Sequence, residues 1–248
     1  MKKITLTLLG LVAFSTSALA QQEVKFGPKA GVNFANVSGK FFDAEYQEDQ
    51  LEFDKGQTGF HIGAFAEIKF NDKFAIQPEV LYSVQGGKYK QYEKGTDIIF
   101  GMPIDYEIDG EMKWNLHYIN VPIMAKYYII PSLAIEAGPY VGFNIKSEWK
   151  SEYKSSLTFQ GETELSSGKE TEDIKNGTNS VDFGLGAGAS FNLNNGFFVE
   201  ARYNLGLSKV GKDFTFVQTD EEGERYETHL KTDNVKNGVI QVSIGYKF

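Results

Sequence analysis

Cysteine is absent from the 248 residues, so neither disulfide staples nor thiolate metal sites are available to this chain. Histidine is nearly as scarce: His61, His117 and His229 are the only three, and they share no metal-ligand spacing. The glycine-spaced run Gly184, Gly186, Gly188 follows strand alternation with no helix after it, so it is not a nucleotide fingerprint. A formal net charge of −8 disfavours nucleic acid as a partner. Long apolar runs are missing too. After Ala20 no stretch approaches the roughly 20 apolar residues of a transmembrane helix. That excludes a helical membrane protein but not a membrane barrel, in which half of every strand faces the lumen.

What is present begins with a targeting pattern. Lys2 and Lys3 precede an apolar stretch from Ile4 to Phe14, and Ala18-Leu19-Ala20 forms a small-x-small cleavage site. This predicts a signal peptide over residues 1–20 and a single domain over residues 21–248.

In the domain, alternation of apolar and polar residues predicts eight strands, at about 25–37, 58–70, 74–87, 114–128, 133–147, 179–193, 197–209 and 237–248. In the second, Phe60, Ile62, Ala64, Ala66 and Ile68 share one face, and His61, Gly63, Glu67 and Lys69 share the other. In the fourth, Trp114, Leu116 and Tyr118 are out of phase with Ile119, Val121 and Ile123, which predicts a bulge at Tyr118–Ile119. Pro28, Pro78, Pro122 and Pro139 fall inside these strands, where proline is unusual.

The connections alternate in length. Asn71-Asp72-Lys73, Ile130-Pro131-Ser132 and Asn194-Asn195-Gly196 are tight-turn sequences. The intervals 38–57, 88–113, 148–178 and 210–236 are long, carry most of the acidic excess, and are expected to be loops, the last holding a hairpin turned at Glu222-Gly223. Strands of even number, with short turns at one end and long loops at the other, follow the outer-membrane pattern. The expected fold is all-β: an eight-stranded antiparallel up-and-down transmembrane β-barrel with four long extracellular loops.

The inward phase collects Glu67, Glu79, Glu136, Asp182 and Glu200 against Lys29, Lys69, Lys126, Arg202 and Lys247. A barrel of this size has room for side chains only, so these charges are expected to pair as a filled polar lumen. Gln77, Asn33, Asn120, Asn144, Ser190 and Asn204 would complete it, with glycines such as Gly186 and Gly188 making room. Aromatic girdles are expected at both interfaces, from Phe70, Phe74, Tyr127, Tyr128, Phe191 and Phe197 at the short turns to Tyr82, Trp114, Tyr118 and Phe143 near the loops. The last strand puts Ile240, Val242, Ile244, Tyr246 and Phe248 on one face, and Tyr246 with terminal Phe248 reads as a signal to the barrel assembly machinery.

No constellation for catalysis emerges. His117, Glu67 and Ser83 can be assembled on paper, but no motif constrains them. The acidic run Asp220-Glu221-Glu222-Gly223-Glu224 lacks the ligand spacing of a calcium loop. No catalytic, cofactor or metal residues are therefore assigned.

The segments Lys29–Asn36, Ile119–Tyr127, Ala137–Gly142, Asp182–Gly188 and Glu200–Gly206 resemble those of the PorT-like outer membrane β-barrel proteins of Bacteroidota. The resemblance spans the mature chain and implies the Gram-negative outer membrane, with lipid around the barrel. It departs at Asn120, where the family often has an acid. The expected role is structural, or interaction with an unidentified extracellular partner through the acidic loops. The alternatives are a secretion-associated component, which the family name suggests, and a small membrane-barrel enzyme.

Overall fold

The computed structural model describes residues 23–43, 50–53, 55–219 and 223–248. The expected signal peptide and Asp220–Glu222 of the acidic run lie outside them. The strands are β1 (Glu23–Asp43), β2 (Gln50–Glu52), β3 (Lys55–Lys69), β4 (Phe74–Ile99), β5 (Met102–Ile130), β6 (Leu133–Phe159), β7 (Glu162–Asp173), β8 (Val181–Asn192), β9 (Phe197–Gly206), β10 (Phe214–Thr219) and β11 (Arg225–Tyr246). Eight of them close a ring in the order β1, β3, β4, β5, β6, β8, β9, β11, and β11 pairs antiparallel with β1 through Lys29↔Gly245 to Ser38↔Lys236. The ring is the expected eight-stranded barrel. Strands β2, β7 and β10 are additions, paired to β1, β6 and β11.

Period-two patterning sets the two surfaces. Phe34, Phe60, Ile62, Val80, Ile135, Phe183, Leu205 and Ile244 are among the apolar side chains exposed on the outer wall, the arrangement that lipid requires. Their sequence neighbours Asn33, His61, Glu79, Glu136, Asp182 and Ser243 are buried inside.

Two of the expected loops are strands. β5 is 29 residues long, against the roughly 9–11 that cross a bilayer. β4 and β5 pair without interruption from Lys88↔Lys113 to Ile99↔Met102. β5 continues onto β6 as far as Ile104↔Phe159, and β6 onto β7 from Glu148↔Asp173 to Phe159↔Glu162. The result is a four-stranded paddle rising from the long-connection end of the barrel. Its hairpins turn at Phe100-Gly101, with φ of 51° and 78°, and at Gln160-Gly161, with φ of 51° and 86°. Both central residues of each turn are left-handed, as the two-residue turn matching strand twist demands. The ribbon expected between 210 and 236 is present as β10 paired with β11.

The bulge is on the other strand. β5 keeps one phase from Trp114 to Tyr128, with Trp114, Leu116, Tyr118, Asn120, Met124, Lys126 and Tyr128 all buried. The register slips on β6 instead, where His117 pairs Lys146 and Tyr118 pairs Asn144, leaving Ile145 as the extra residue. Ile145 and Lys146 both face outward, so the inward set changes from even-numbered to odd-numbered residues along β6.

The four strand prolines each lack an N–H where a ladder is interrupted. The β3–β4 ladder skips Pro78, passing from Phe65↔Glu79 to Ile68↔Ile76. β4–β5 skips Pro122, between Pro78↔Ile123 and Leu81↔Asn120. β5–β6 skips Pro139, between Pro122↔Tyr140 and Ala125↔Ala137. Pro28 lies just past the last β1–β11 pair at Lys29↔Gly245. Each proline keeps its ladder on the opposite side, at Pro28↔Ala64, Pro78↔Ile123, Pro122↔Tyr140 and Pro139↔Leu185, and turns its N–H-lacking ring to the side where pairing is already broken.

Candidate functional site

Three layers fill the interior. At the short-turn end Lys25, Lys69, Tyr128, Asn192 and Lys247 line an open vestibule of about 440 Å³. Its floor is Lys247, whose Nζ donates to Glu67 Oε2 at 2.7 Å and Asn192 Oδ1 at 2.6 Å.

Above it sits a continuous ion network. Lys126 lies between Glu67 at 3.4 Å and Glu136 at 3.5 Å, and donates to Gln77 Oε1 at 3.0 Å. Arg202 donates from Nε to Glu136 at 2.8 Å and grips both oxygens of Glu79, at 2.7 and 3.2 Å. Its Nη2 also lies 3.1 Å from Glu200. Lys29 joins Glu79 at 3.1 Å and is bonded to Glu200. Four acids and four bases thus share one cluster. Apart from Lys247, at 9% exposure, their side chains are wholly buried. Gly186 makes space: a Cβ there would press on Asn204 Oδ1 at 2.5 Å and Arg202 Cδ at 3.4 Å.

Two of the expected lumen charges stand apart. Lys69 is a quarter exposed at the rim, its Nζ 4.7 Å from the Tyr128 ring centroid and 4.0 Å from Glu23. Asp182 is buried but accepts from Tyr140 at 3.1 Å and from Ser208, with no ion pair to a base among the described residues. Both keep inward phase, but their heights along the barrel separate them from the cluster. Phase along one strand does not report that height.

Neutral polar groups form the next layer. Asn33 donates to Ser83 at 3.0 Å, and His61 bridges Asn33 at 2.8 Å and Ser243 at 2.9 Å. Gln241 and Asn204 extend the chain. The void lined by Leu81, Gln85, Asn120, Tyr140 and Gln241 has room for about one water.

The third layer is an apolar plug at the mouth below the paddle. Phe41 and Phe53 come from the first long connection, and Trp114, Leu116 and Tyr118 from β5. Val37, Trp149, Ile174, Val210 and Val235 complete it. Phe41 stacks edge-on to Trp114 at 5.0 Å and Trp149 at 5.7 Å. Trp114 and Tyr118 are therefore interior residues, not members of an interface girdle, and Tyr128 is likewise buried. Once the interior turns apolar, inward and outward aromatics follow the same alternation, so the sequence could not separate them. Phe70, Phe74, Tyr127, Phe191 and Phe197 do face outward at the short-turn end.

The histidines are held apart. His61 is inside the lumen, His117 bonds outward-facing Tyr82 at 2.6 Å, and His229 bonds Thr215 on the ribbon. Glu67, Ser83 and His117 do not converge: Glu67 sits by the vestibule, Ser83 in the polar layer, and His117 on the opposite face of its strand. Among the described residues no group of three or more His, Cys, Asp or Glu is placed to hold a metal ion.

The paddle's outer face is laced with ion pairs. Glu111 takes Lys113 at 2.6 Å and Lys90 at 3.1 Å, Lys94 meets Glu107 at 3.0 Å, and Lys169 meets Glu152 at 2.6 Å. The hydrogen bond from Lys113 holds the Glu111 carboxyl below its ordinary 4.5, against a smaller opposing effect of burial, with Lys90 adding to the lowering. At the chain terminus Phe248 N–H donates to Phe26 O at 2.9 Å, and its ring lies 5.0 Å from Tyr246 and 6.0 Å from Phe26. Phe248 thus fastens the closing seam.

The family model described as outer membrane protein beta-barrel domain matches residues 19–211. Among solved structures the chain is similar to Ail, the attachment invasion locus protein of Yersinia pestis, in complex with the heparin analogue sucrose octasulfate. The identity is 18%, over 91% of this chain and 99% of that one, with a TM-score of 0.39. It is similar to OprG from Pseudomonas aeruginosa at 13% identity, over 92% and 97%, with a TM-score of 0.40. A major outer membrane protein from Thermus thermophilus matches at 12% identity, over 91% and 100%, with a TM-score of 0.41. Comparison with curated protein sequences returned no match.

Proposed function

Because the chain belongs to the outer membrane protein β-barrel domain family, we propose that it is a non-catalytic anchor holding an interaction surface outside the cell. One observation carries this reading. The strands that wall the barrel run on as a paddle beyond it, while the interior below is occupied by an ion network and an aromatic plug. Material is invested in a projecting surface, not in a passage. Buried charges in so narrow a lumen must be paired, and pairing fills the space a solute would need. The separation of the three histidines supports the non-catalytic part. Within the family the segments Lys29–Asn36 and Ile119–Tyr127 support a PorT-like assignment. We assign Tyr246 and Phe248 to recognition by the assembly machinery, since Phe248 sits where the barrel closes.

The test is photocrosslinking on intact cells, with the probe at Leu157 on one face of the paddle or Leu165 on the other, and at Asp72 in a short turn. Adducts with macromolecules outside the cell are expected from the paddle positions and not from position 72. A paddle that gives no adducts, in a chain that carries steady current across a planar bilayer, would overturn the reading.

A further inference from the structure

The two faces of the paddle differ in chemistry. Residues directly paired in an antiparallel ladder share a face, so the register sorts them. Trp114 and Trp149, buried in the plug, are partners and fix which face continues the barrel interior. Among the described residues every lysine of the paddle lies on the other face, where Lys90 and Lys113 pair with Glu111 and Lys94 with Glu107. The inward face carries no base.

What it carries is segregated by strand. The two central strands supply Met102, Ile104, Tyr106, Tyr153, Leu157 and Phe159. Leu157 is 49% exposed and Tyr153 44%. The two outer strands supply acids: Glu93 and Asp97 on β4, and Glu162, Glu164, Glu170 and Glu172 on β7. Among the described residues none of these six carboxylates is in an ion pair. Both tyrosines lie across glycines of the outer strands. A Cβ at Gly95 would meet the Tyr106 phenol at 2.8–3.1 Å, and one at Gly168 the Tyr153 phenol at 2.5–2.9 Å. Such rings shield backbone that glycine leaves bare.

We propose that this inward face binds a basic amphipathic helix from a partner outside the cell, an inference that rests on the surface-interaction role above. Four strands spaced about 4.8 Å apart put the acidic rims about 14 Å from each other. A helix is about 10–12 Å across. Laid on β5 and β6, its apolar side meets Tyr106, Leu157 and Phe159, and lysines or arginines along its flanks reach the carboxylates on either rim. The unpaired acids and the absence of any base exclude an anionic partner by the same complementarity.

The probe is a synthetic helical peptide of leucine and lysine with its leucines on one face, titrated against the full-length protein in neutral-lipid nanodiscs, with empty nanodiscs as reference. Because the chain has no cysteine, an environment-sensitive fluorophore can be attached at Leu157→Cys on the inward face or Thr158→Cys on the outer one. Binding is expected to shift the label at 157 and not at 158. The pair Leu157→Lys, Phe159→Lys is expected to weaken binding by about tenfold or more, and Lys94→Glu with Lys154→Glu to leave it unchanged. A leucine–glutamate counterpart and a lysine homopolymer are expected not to compete. The proposal is overturned if the homopolymer binds as tightly as the probe, if the inward pair has no effect, or if the intact protein does not bind the probe. Any of these leaves the broader surface-interaction role standing wherever the paddle crosslinks on cells persist, so the two failures are distinguishable.

Discussion

Replacing Arg202 by methionine removes the one guanidinium that three buried carboxylates share, while keeping most of the side-chain volume. The loss is not shared evenly. Glu79 retains Lys29 at 3.1 Å and Gln77 at 2.8 Å, and Glu200 retains Lys29. Among the described residues Glu136 retains only Lys126, at 3.5 Å. Charges about 3.5 Å apart at an effective dielectric near 20 interact by about 5 kcal/mol. Breaking a buried pair by removing one partner costs about 3–5 kcal/mol in measured cases. Arg202→Met is therefore expected to lower stability by about 3–5 kcal/mol. The rescue is the sharper test. Neutralising the stranded acid with Glu136→Gln in the methionine background is expected to recover more than Glu79→Gln does, because Glu79 still has partners. Equilibrium unfolding in urea, followed by fluorescence of Trp114 and Trp149 in the plug above, would read both. An Arg202→Met variant within about 1 kcal/mol of the parent, the range of exposed ion pairs, would refute a desolvated network. So would equal rescue by the two glutamines.

In planar bilayers the intact protein is expected to carry no steady current, and Trp114→Ala to leave that unchanged, since the ion layer lies beneath the plug; a large stable conductance from either would refute a filled lumen. Pro139→Ala is expected to shift stability by less than about 1 kcal/mol, because the ladder toward β5 is already interrupted there; a larger change in a urea titration would show that the gap is not what accommodates the ring. Deleting Phe248 is expected to reduce the amount of folded barrel reaching the outer membrane more than it lowers unfolding stability, measured by fractionation beside urea melts; normal outer-membrane levels would contradict this. Glu111 has its carboxyl held below 4.5 in the fold, so its contribution to the paddle is complete above that pH and is lost as pH falls through the lowered value. Carboxyl NMR titration is expected to show a midpoint below 4.5 that rises in Lys113→Gln; an unmoved midpoint would assign the shift elsewhere.

Sequence alternation made much of this molecule legible, and its errors have a common origin. The phase change between Tyr118 and Ile119 suggests a bulge because the apolar set switches sides there. β5 holds its phase across Tyr118 and Ile119, and what switches is the interior, from polar to aromatic. The real bulge at Ile145 lies on the facing strand, and only the pairing reveals it. The paddle is not legible in the sequence because its inward glutamates and outward lysines blur the apolar period along β4 and β7. Lys69 and Asp182 have the right phase and the wrong height.

The amino-acid sequence on its own determined the barrel, its strand number, which end bears the long connections, and which charges point inward. These follow from period two and from turn chemistry, both local to a few residues. The tertiary structure alone decided which of those charges meet, how the prolines are accommodated, that an aromatic plug closes the mouth, and that the paddle has an acid-rimmed apolar face. Each of these depends on cross-strand register and on height along the barrel. Register is fixed when distant segments pair, and no single strand carries that information.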